Sequence, residues 1–300
     1  MQPKKSLGQN FLRDKNVLEK IIASADLKSD DFVIEIGPGE GVLTEELAKH
    51  AGKVLAVEID KTLADKLKEK YKNNKKIEIL NDDILKINLP EILRHSERSE
   101  AKSKNLLDNI TSNNNRKILR LRPSTDFAQD DDINYKLIAN IPYYITSPII
   151  QLFLETKYPP SVMILMVQKE VAQRICANPG QMSILAVSVQ YYSKPELLFY
   201  VDKKSFYPVP EVDSAVIKIS GIRNYESGIM NQEETKKFFR IVKAGFSAKR
   251  KMLLNNLSSS LHLEKKQVEE KLKKVGISPA SRAQELSMED WKNIATLIYE

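Results

Sequence analysis

The sequence predicts an α/β protein: an open, mostly parallel sheet sandwiched by helices, followed by a small all-helical unit. Three observations predict it. Between residues 32 and 80, short apolar runs of strand length alternate with segments of helical period. The first run breaks at Gly37-Pro38-Gly39-Glu40-Gly41, and beyond about Arg223 the periodicity is wholly helical.

Phe32, Val33, Ile34 and Ile36 form the first strand, and the glycines then let backbone approach a ligand closely, since no Cβ intervenes and positive φ costs little. Such a loop stands at the carboxyl end of a strand, where open α/β sheets bind ligands. The spacing is G-x-G-x-G, and Val42 stands where a G-x-G-x-x-G dinucleotide pattern needs its third glycine. Residues 42–50 read as a helix and 53–59 as a second strand. That strand carries Glu58, 21 positions after Gly37 and suited to a ribose diol. Both NAD and S-adenosylmethionine carry that ribose; the plainer alternative is a solvated carboxylate beside a strand-capping loop. Residues 61–71 are a lysine-rich helix and 77–80 a third strand ending in Asn81-Asp82-Asp83, where one acid suits a helix cap and the other a cavity. The βαβαβ alternation implies parallel strands with right-handed crossovers.

Before this core, a basic opening leads through Gln9 and Asn10, whose plainer reading is turn chemistry, to an amphipathic helix carrying Val17, Leu18, Ile21 and Ile22. Residues 94–134 are polar, with runs of asparagine and aspartate, and read as a largely disordered insertion that the fold does not need. Order resumes with a strand over 135–139 and then Asn140-Ile141-Pro142-Tyr143-Tyr144. An asparagine at a strand end, a carbonyl beside proline and aromatic rings offer two acceptors and a stacking face for a flat amine. The plainer alternative is a proline turn with core aromatics. Residues 161–167 read as a strand, 168–177 and 181–192 as helices, and 196–201 and 214–219 as the last strands. Between those two, Phe206-Tyr207-Pro208-Val209-Pro210 holds an aromatic pair on two prolines, for core packing or for stacking a base.

The helical end is predicted over 234–246, 249–258, 265–275 and 288–299. From Lys236 to Val275 it carries 12 Lys or Arg against three acids. Lys249-Arg250-Lys251, beside Asn255 and Asn256, reads as a phosphate-binding patch on a helix. The chain's net charge of +7 suits a polyanionic partner, and its 42% hydrophobic and 29% charged residues describe an ordinary globular protein. Neither a leader's apolar core nor a membrane-length apolar run is present, so no membrane association is expected. The single cysteine, Cys176, fits a reducing cytoplasm and reads as a core helix residue.

Several stretches together resemble one family: KKSLGQNFL at 4–12, VIEIGPGEGVLT at 33–44, VEID at 57–60, NDDIL at 81–85, NIPYYITSPI at 140–149, FYPVPEVDSAV at 206–216 and AKRKMLLNNL at 248–257. The chain is similar to the small-subunit ribosomal RNA adenine dimethyltransferases, the KsgA family, over nearly its whole length. That resemblance implies a Rossmann-like class I methyltransferase sheet of seven strands over residues 1–222 and a small helical RNA-recognition domain over 223–300. It implies S-adenosylmethionine as cofactor, with no metal. Asn10 and Leu12 would help close its site, Gly37 and Gly39 approach its methionine end, Glu58 hold the ribose and Asp83 accept from the adenine amine. Asn140 and the Ile141 carbonyl would hold the target amine, while Tyr143 and Phe206 sandwich its base. The implied partner is small-subunit ribosomal RNA in an assembling subunit, met by a cytoplasmic monomer. The implied reaction is in-line attack of an adenine amino nitrogen on a sulfonium methyl, done twice on each of two adjacent adenosines. The alternatives are a resistance-type large-subunit RNA dimethyltransferase and a ribosome-assembly binding factor with incidental catalysis. The departure from the family pattern is the 94–134 insertion, which sets Asp83 and Asn140 57 positions apart.

Overall fold

The computed structural model describes residue 4 and residues 7–98, 134–223 and 231–299. In chain order they form β1 (Phe11–Leu12), α1 (Lys15–Ala25), β2 (Phe32–Ile36), α2 (Val42–His50), β3 (Lys53–Glu58), α3 (Lys61–Tyr71), β4 (Ile77–Asn81) and α4 (Leu89–Arg98). Then follow β5 (Tyr135–Asn140), α5 (Thr146–Glu155), β6 (Val162–Gln168), α6 (Lys169–Ile175), α7 (Ile184–Tyr192), β7 (Lys194–Val201), β8 (Phe206–Tyr207) and β9 (Ser214–Ser220). The helical end comprises α8 (Gln232–Gly245), α9 (Leu253–Leu261), α10 (Lys265–Lys274) and α11 (Met288–Tyr299).

Seven strands make one sheet in the order β4-β3-β2-β5-β6-β9-β7; β1 and β8 form a separate antiparallel ribbon. The first five strands of the sheet are parallel and β9 runs antiparallel between β6 and β7. Successive side chains enter opposite cores, as the period-2 geometry of a strand requires. Ile34, Ile36, Leu55 and Val57 pack with α4 to α7, and Val33, Val54 and Ala56 pack with α1 to α3. Each such buried aliphatic side chain contributes about 1.5–3 kcal/mol relative to exposure. Burial on both faces is why these strands read as apolar runs rather than alternations.

Several boundaries differ from expectation, each for a local reason. β7 starts at Lys194 rather than 196, because it is an edge strand and tolerates Pro195, whose missing N–H breaks no interior ladder. α7 starts at Ile184 because Ser183 caps it, its hydroxyl accepting from the Ala186 N–H. Cys176 lies at the C-cap of α6, not within the helix; it is half-buried, and its thiol is pushed up to about 11 by burial and by Glu196. Such a thiol is a poor nucleophile at neutral pH.

The expected disorder of 94–134 concerns residues that mostly lie outside those described; within them α4 carries helix through Arg98. A third core joins α8 to α11 with Ala177, Met182, Ala186 and Val187, so the helical end packs on α7. There the Tyr191 ring stacks on Phe238 with centroids 4.2 Å apart. Lys249, Arg250 and Lys251 are exposed but stand in the turn before α9, not on a helix as expected. Asn256 is no part of that surface: it is 3% exposed, and its Nδ2 donates to the Gly245 and Ala248 carbonyls at 2.6 and 3.0 Å. Nδ2 thereby ties the last carbonyl of α8 to the turn, where the Ala248 carbonyl also accepts from the Lys251 N–H, so the residue that looked like a phosphate ligand shapes the turn instead.

Candidate active site

The sheet order reverses between β2 and β5, since β2 leads to β3 on one side and pairs with β5 on the other. Such a switch point opens a crevice at the carboxyl ends of the strands. The register puts Ile36 opposite Ala139, so Gly37 and Asn140 leave adjacent strands at one level. Glu58 pairs with Asn81 in the same way, and Asn140 with Met166. One cavity of about 260 Å³ opens there, and its wall includes Gly37, Gly39, Glu58, Asp83, Asn140 and Phe206.

The glycine loop is shaped by its neighbours. Gly39 has φ +60° and a Cβ there would meet the Phe11 ring at 2.9 Å; Gly41 has φ +80° and its Cβ would strike Leu67 and the Tyr71 hydroxyl at 2.7 Å. Tyr71 Oη also donates to the Gly41 carbonyl at 2.8 Å, so α3 forms the floor of the loop. Glu58 is buried rather than solvated, at 4% exposure, and its carboxylate accepts from the Gly39 N–H at 3.1 Å and the Asp60 N–H at 2.9 Å. Burial raises its pKa, and these two hydrogen bonds oppose the rise. Asp82 and Asp83 both line the cavity. Asp83 accepts from the Leu85 N–H at 3.1 Å and pairs with the exposed Lys86 at 3.1 Å.

Across the cavity, Asn140 Nδ2 donates to the Asn10 carbonyl at 3.2 Å, which orients the amide and leaves Oδ1 as an acceptor. The Ile141 N–H donates to the Met166 carbonyl, and Ile141 is buried at the cavity wall. Tyr143 begins a short 3-10 turn, and its hydroxyl lies 2.9 Å from Ser214 Oγ at the start of β9. Phe206 is 3% exposed and packs with Leu12, so core packing and cavity lining are both its work.

The amino-terminal stretch is not free. Gly8 to Leu12 line the cavity, and Leu12 pairs with Phe206 in the ribbon. Gln9 accepts locally from the Lys4 N–H at 2.7 Å and also reaches Asp60 at 3.1 Å, and Asn10 makes a local bond, from Nδ2 to the Gly8 carbonyl. Burial pushes the Asp60 carboxyl up, but bonds from Lys4, Gln9 and the Thr62 N–H together hold it below the ordinary range.

Sequence reasoning missed Glu35. It is 1% exposed, lies on the face covered by α2, and lines the cavity. Neither its Oε2 nor Thr44 Oγ1 finds a hydrogen-bond partner among the described residues. Burial, with Glu58 nearby, pushes its pKa up to about 8 despite the polar Thr44. The available signal was a charge inside an otherwise apolar strand. Ser214 gave no signal beyond its place in a motif.

The family model for ribosomal RNA adenine dimethylase matches residues 1–300. The chain belongs to that family. A small-subunit methyltransferase A of Dehalococcoides mccartyi strain CBDB1 is 42% identical, covering 98% of this chain and 88% of the relative. Its counterpart in Caldanaerobacter subterraneus subsp. tengcongensis is 39% identical, covering 100% of this chain and 98% of the relative. Among solved structures, the 23S rRNA methyltransferase ErmE is 25% identical with a TM-score of 0.69, covering 97% of this chain and 100% of that one. A dimethyladenosine transferase of Plasmodium falciparum is 26% identical with a TM-score of 0.66, covering 95% of each chain.

As a member of the rRNA adenine dimethylases, the protein is an S-adenosylmethionine-dependent methyltransferase. The cavity fits that cofactor. The Cβ-free cradle at Gly39 and the acceptors at Glu58 and Asp83 suit a ribose and an amine. When bound, S-adenosylmethionine supplies a methyl carbon on a sulfonium, a leaving group that needs no activation by the protein.

Proposed function

We propose that the chain dimethylates the amino nitrogens of two adjacent adenosines near the 3′ end of small-subunit ribosomal RNA. It acts as a cytoplasmic monomer on assembling subunits. The observation that carries the chemistry is one cavity joining a cofactor-sized cradle, with Glu58 and Asp83, to Asn140, Tyr143 and Phe206. The choice of subunit follows the small-subunit relatives, at 42% identity against 25% for the 23S enzyme. No helix among the described residues is long and apolar enough to cross a membrane.

In this reading Glu58 accepts from the ribose hydroxyls, Asp83 from the cofactor's adenine amine, and Gly37 and Gly39 border its methionine end, with Asn10 and Leu12 closing the site. The target adenine lies between Tyr143 and Phe206. Its amine is a weak nucleophile because the lone pair is delocalised into the ring. Asn140 Oδ1 and the Ile141 carbonyl accept its hydrogens, which favours a pyramidal nitrogen and stabilises the positive charge that develops on it. Orientation supplies the rest, and no protein nucleophile is required.

Residues 223–300 serve RNA recognition, with Lys249, Arg250 and Lys251 contacting phosphates. Replacing all three with Ala should flatten the salt dependence of RNA binding by up to about three phosphate contacts' worth of slope, while cofactor affinity stays unchanged. An unchanged slope removes the patch from the interface. The function as a whole is tested by incubating the protein with methyl-labelled cofactor and unmethylated ribosomal particles. Label should enter the small subunit; label confined to the large subunit would favour the resistance-type reaction, and none in either would favour a binding factor.

A further inference from the structure

Two aromatic pairs adjoin the cavity, and each joins one ring that lines it to one that is exposed. Tyr143 is partly buried with its hydroxyl on Ser214, while Tyr144, the next residue, is 57% exposed at the cavity wall. Phe206 is 3% exposed and Tyr207, following it in β8, is 58% exposed. Strand alternation makes the second split, since neighbouring side chains leave opposite faces. The 3-10 turn at Tyr143–Ile145 makes the first.

The two outer rings adjoin one stretch of chain. Tyr144 lies against Gly8, where an added Cβ would come 3.5 Å from the ring, and Tyr207 pairs through its backbone with Phe11. Both therefore adjoin the 8–12 stretch that lines the cavity, Tyr144 on the wall and Tyr207 on the ribbon's face opposite Phe206. A single exposed tyrosine needs no explanation. Here each exposed ring adjoins in sequence an inner ring of the same cavity. Their shared chemistry is an exposed π face, which accepts any base irrespective of sequence. A nucleotide that leaves its stack to enter a cavity also exposes the faces of its two neighbours.

We propose that Tyr144 and Tyr207 form an outer stacking pair that holds the nucleotides flanking the target adenosine in its RNA strand. The proposal rests on the RNA-methylating reading above and adds to it where the strand runs once the target base has entered. The outer rings contribute to RNA binding and leave the methyl transfer itself to the inner groups.

The test compares Tyr144→Ala, Tyr207→Ala and the corresponding Phe variants, using unmethylated small-subunit particles as substrate. Each Ala variant should raise the particle KM about tenfold, with kcat little changed, and each Phe variant should keep the wild-type KM because stacking needs the ring and not the hydroxyl. Calorimetric affinity for S-adenosylmethionine, unchanged in all four, shows that the fold and the cofactor site are intact. Ala variants with wild-type KM would overturn the outer pair while leaving the enzyme's function standing. If wild-type protein fails to methylate the particles, the function reading falls by itself. The outer pair is then decided by a single-stranded RNA carrying 2-aminopurine beside a target adenosine: quenching by wild type that is lost in the Ala variants supports it, and equal fluorescence change in both rejects it.

Discussion

Asn140→Ala is expected to slow methyl transfer by roughly a hundredfold or more, on the order of 3 kcal/mol, while S-adenosylmethionine affinity changes far less. The asparagine stands at the end of β5 with its Nδ2 donating to the Asn10 carbonyl, and Oδ1 is the acceptor that it offers the target amine. That acceptor strengthens its interaction only as the attacking nitrogen becomes positive, which places its contribution in the transition state. Glu58→Ala should show the opposite split. The ribose is held equally before and during reaction, so losing Glu58, and with it the anchor of the Gly39 N–H, should weaken cofactor binding and leave the saturated rate near wild type. Single-turnover methylation at saturating cofactor and RNA, beside calorimetric titration, separates the two. A wild-type rate for Asn140→Ala would remove that residue from the target site.

Glu35→Gln is expected to remove a loss of stability that the cofactor-free protein suffers as pH rises from about 4.5 to about 8. In the unfolded chain the carboxyl has its ordinary value of 4.5, and in the fold burial pushes it up to about 8. The folded state therefore holds an extra proton between those values. The stability this contributes is complete below about pH 4.5 and is lost progressively as pH rises to about 8, a difference on the order of 5 kcal/mol. Glutamine keeps the shape and cannot ionise. Denaturant unfolding from pH 5 to 9 should show wild type losing stability relative to the variant across that window. Parallel curves would mean that Glu35 ionises freely in the fold.

The parts of the molecule legible in the sequence are those set by local chemistry. The parallel core announced itself because two-sided burial demands continuous apolar runs, and the glycine loop because only glycine accepts φ near +60° against the Phe11 ring. Glu58 and Asn140 stood out because each ends a strand, and strand ends converge at a switch point, whereas Asp83 lies two residues past β4 and stood out by its place in NDDIL. What the sequence hid depends on contacts distant in the chain. Asn256 looks like a surface amide, yet its partners are the carbonyls that end α8. Gln9 looks like a turn residue, and besides its local bond to the Lys4 N–H it holds a partner 51 residues away. Ser214 acquires its bond to Tyr143 only when β9 folds back beside β6. Lys249 to Lys251 were placed on a helix because their flanking pattern is helical, whereas Asn256 holds that stretch in a turn.

The most direct test of the account is to expose unmethylated small-subunit particles to the purified protein and S-adenosylmethionine, then map the digested ribosomal RNA by mass spectrometry. The predicted result is two adjacent adenosines near the 3′ end of the small-subunit RNA, each heavier by two methyl groups on its amino nitrogen. Methylation of cytosine, of a ribose, or of large-subunit adenosine alone would contradict it.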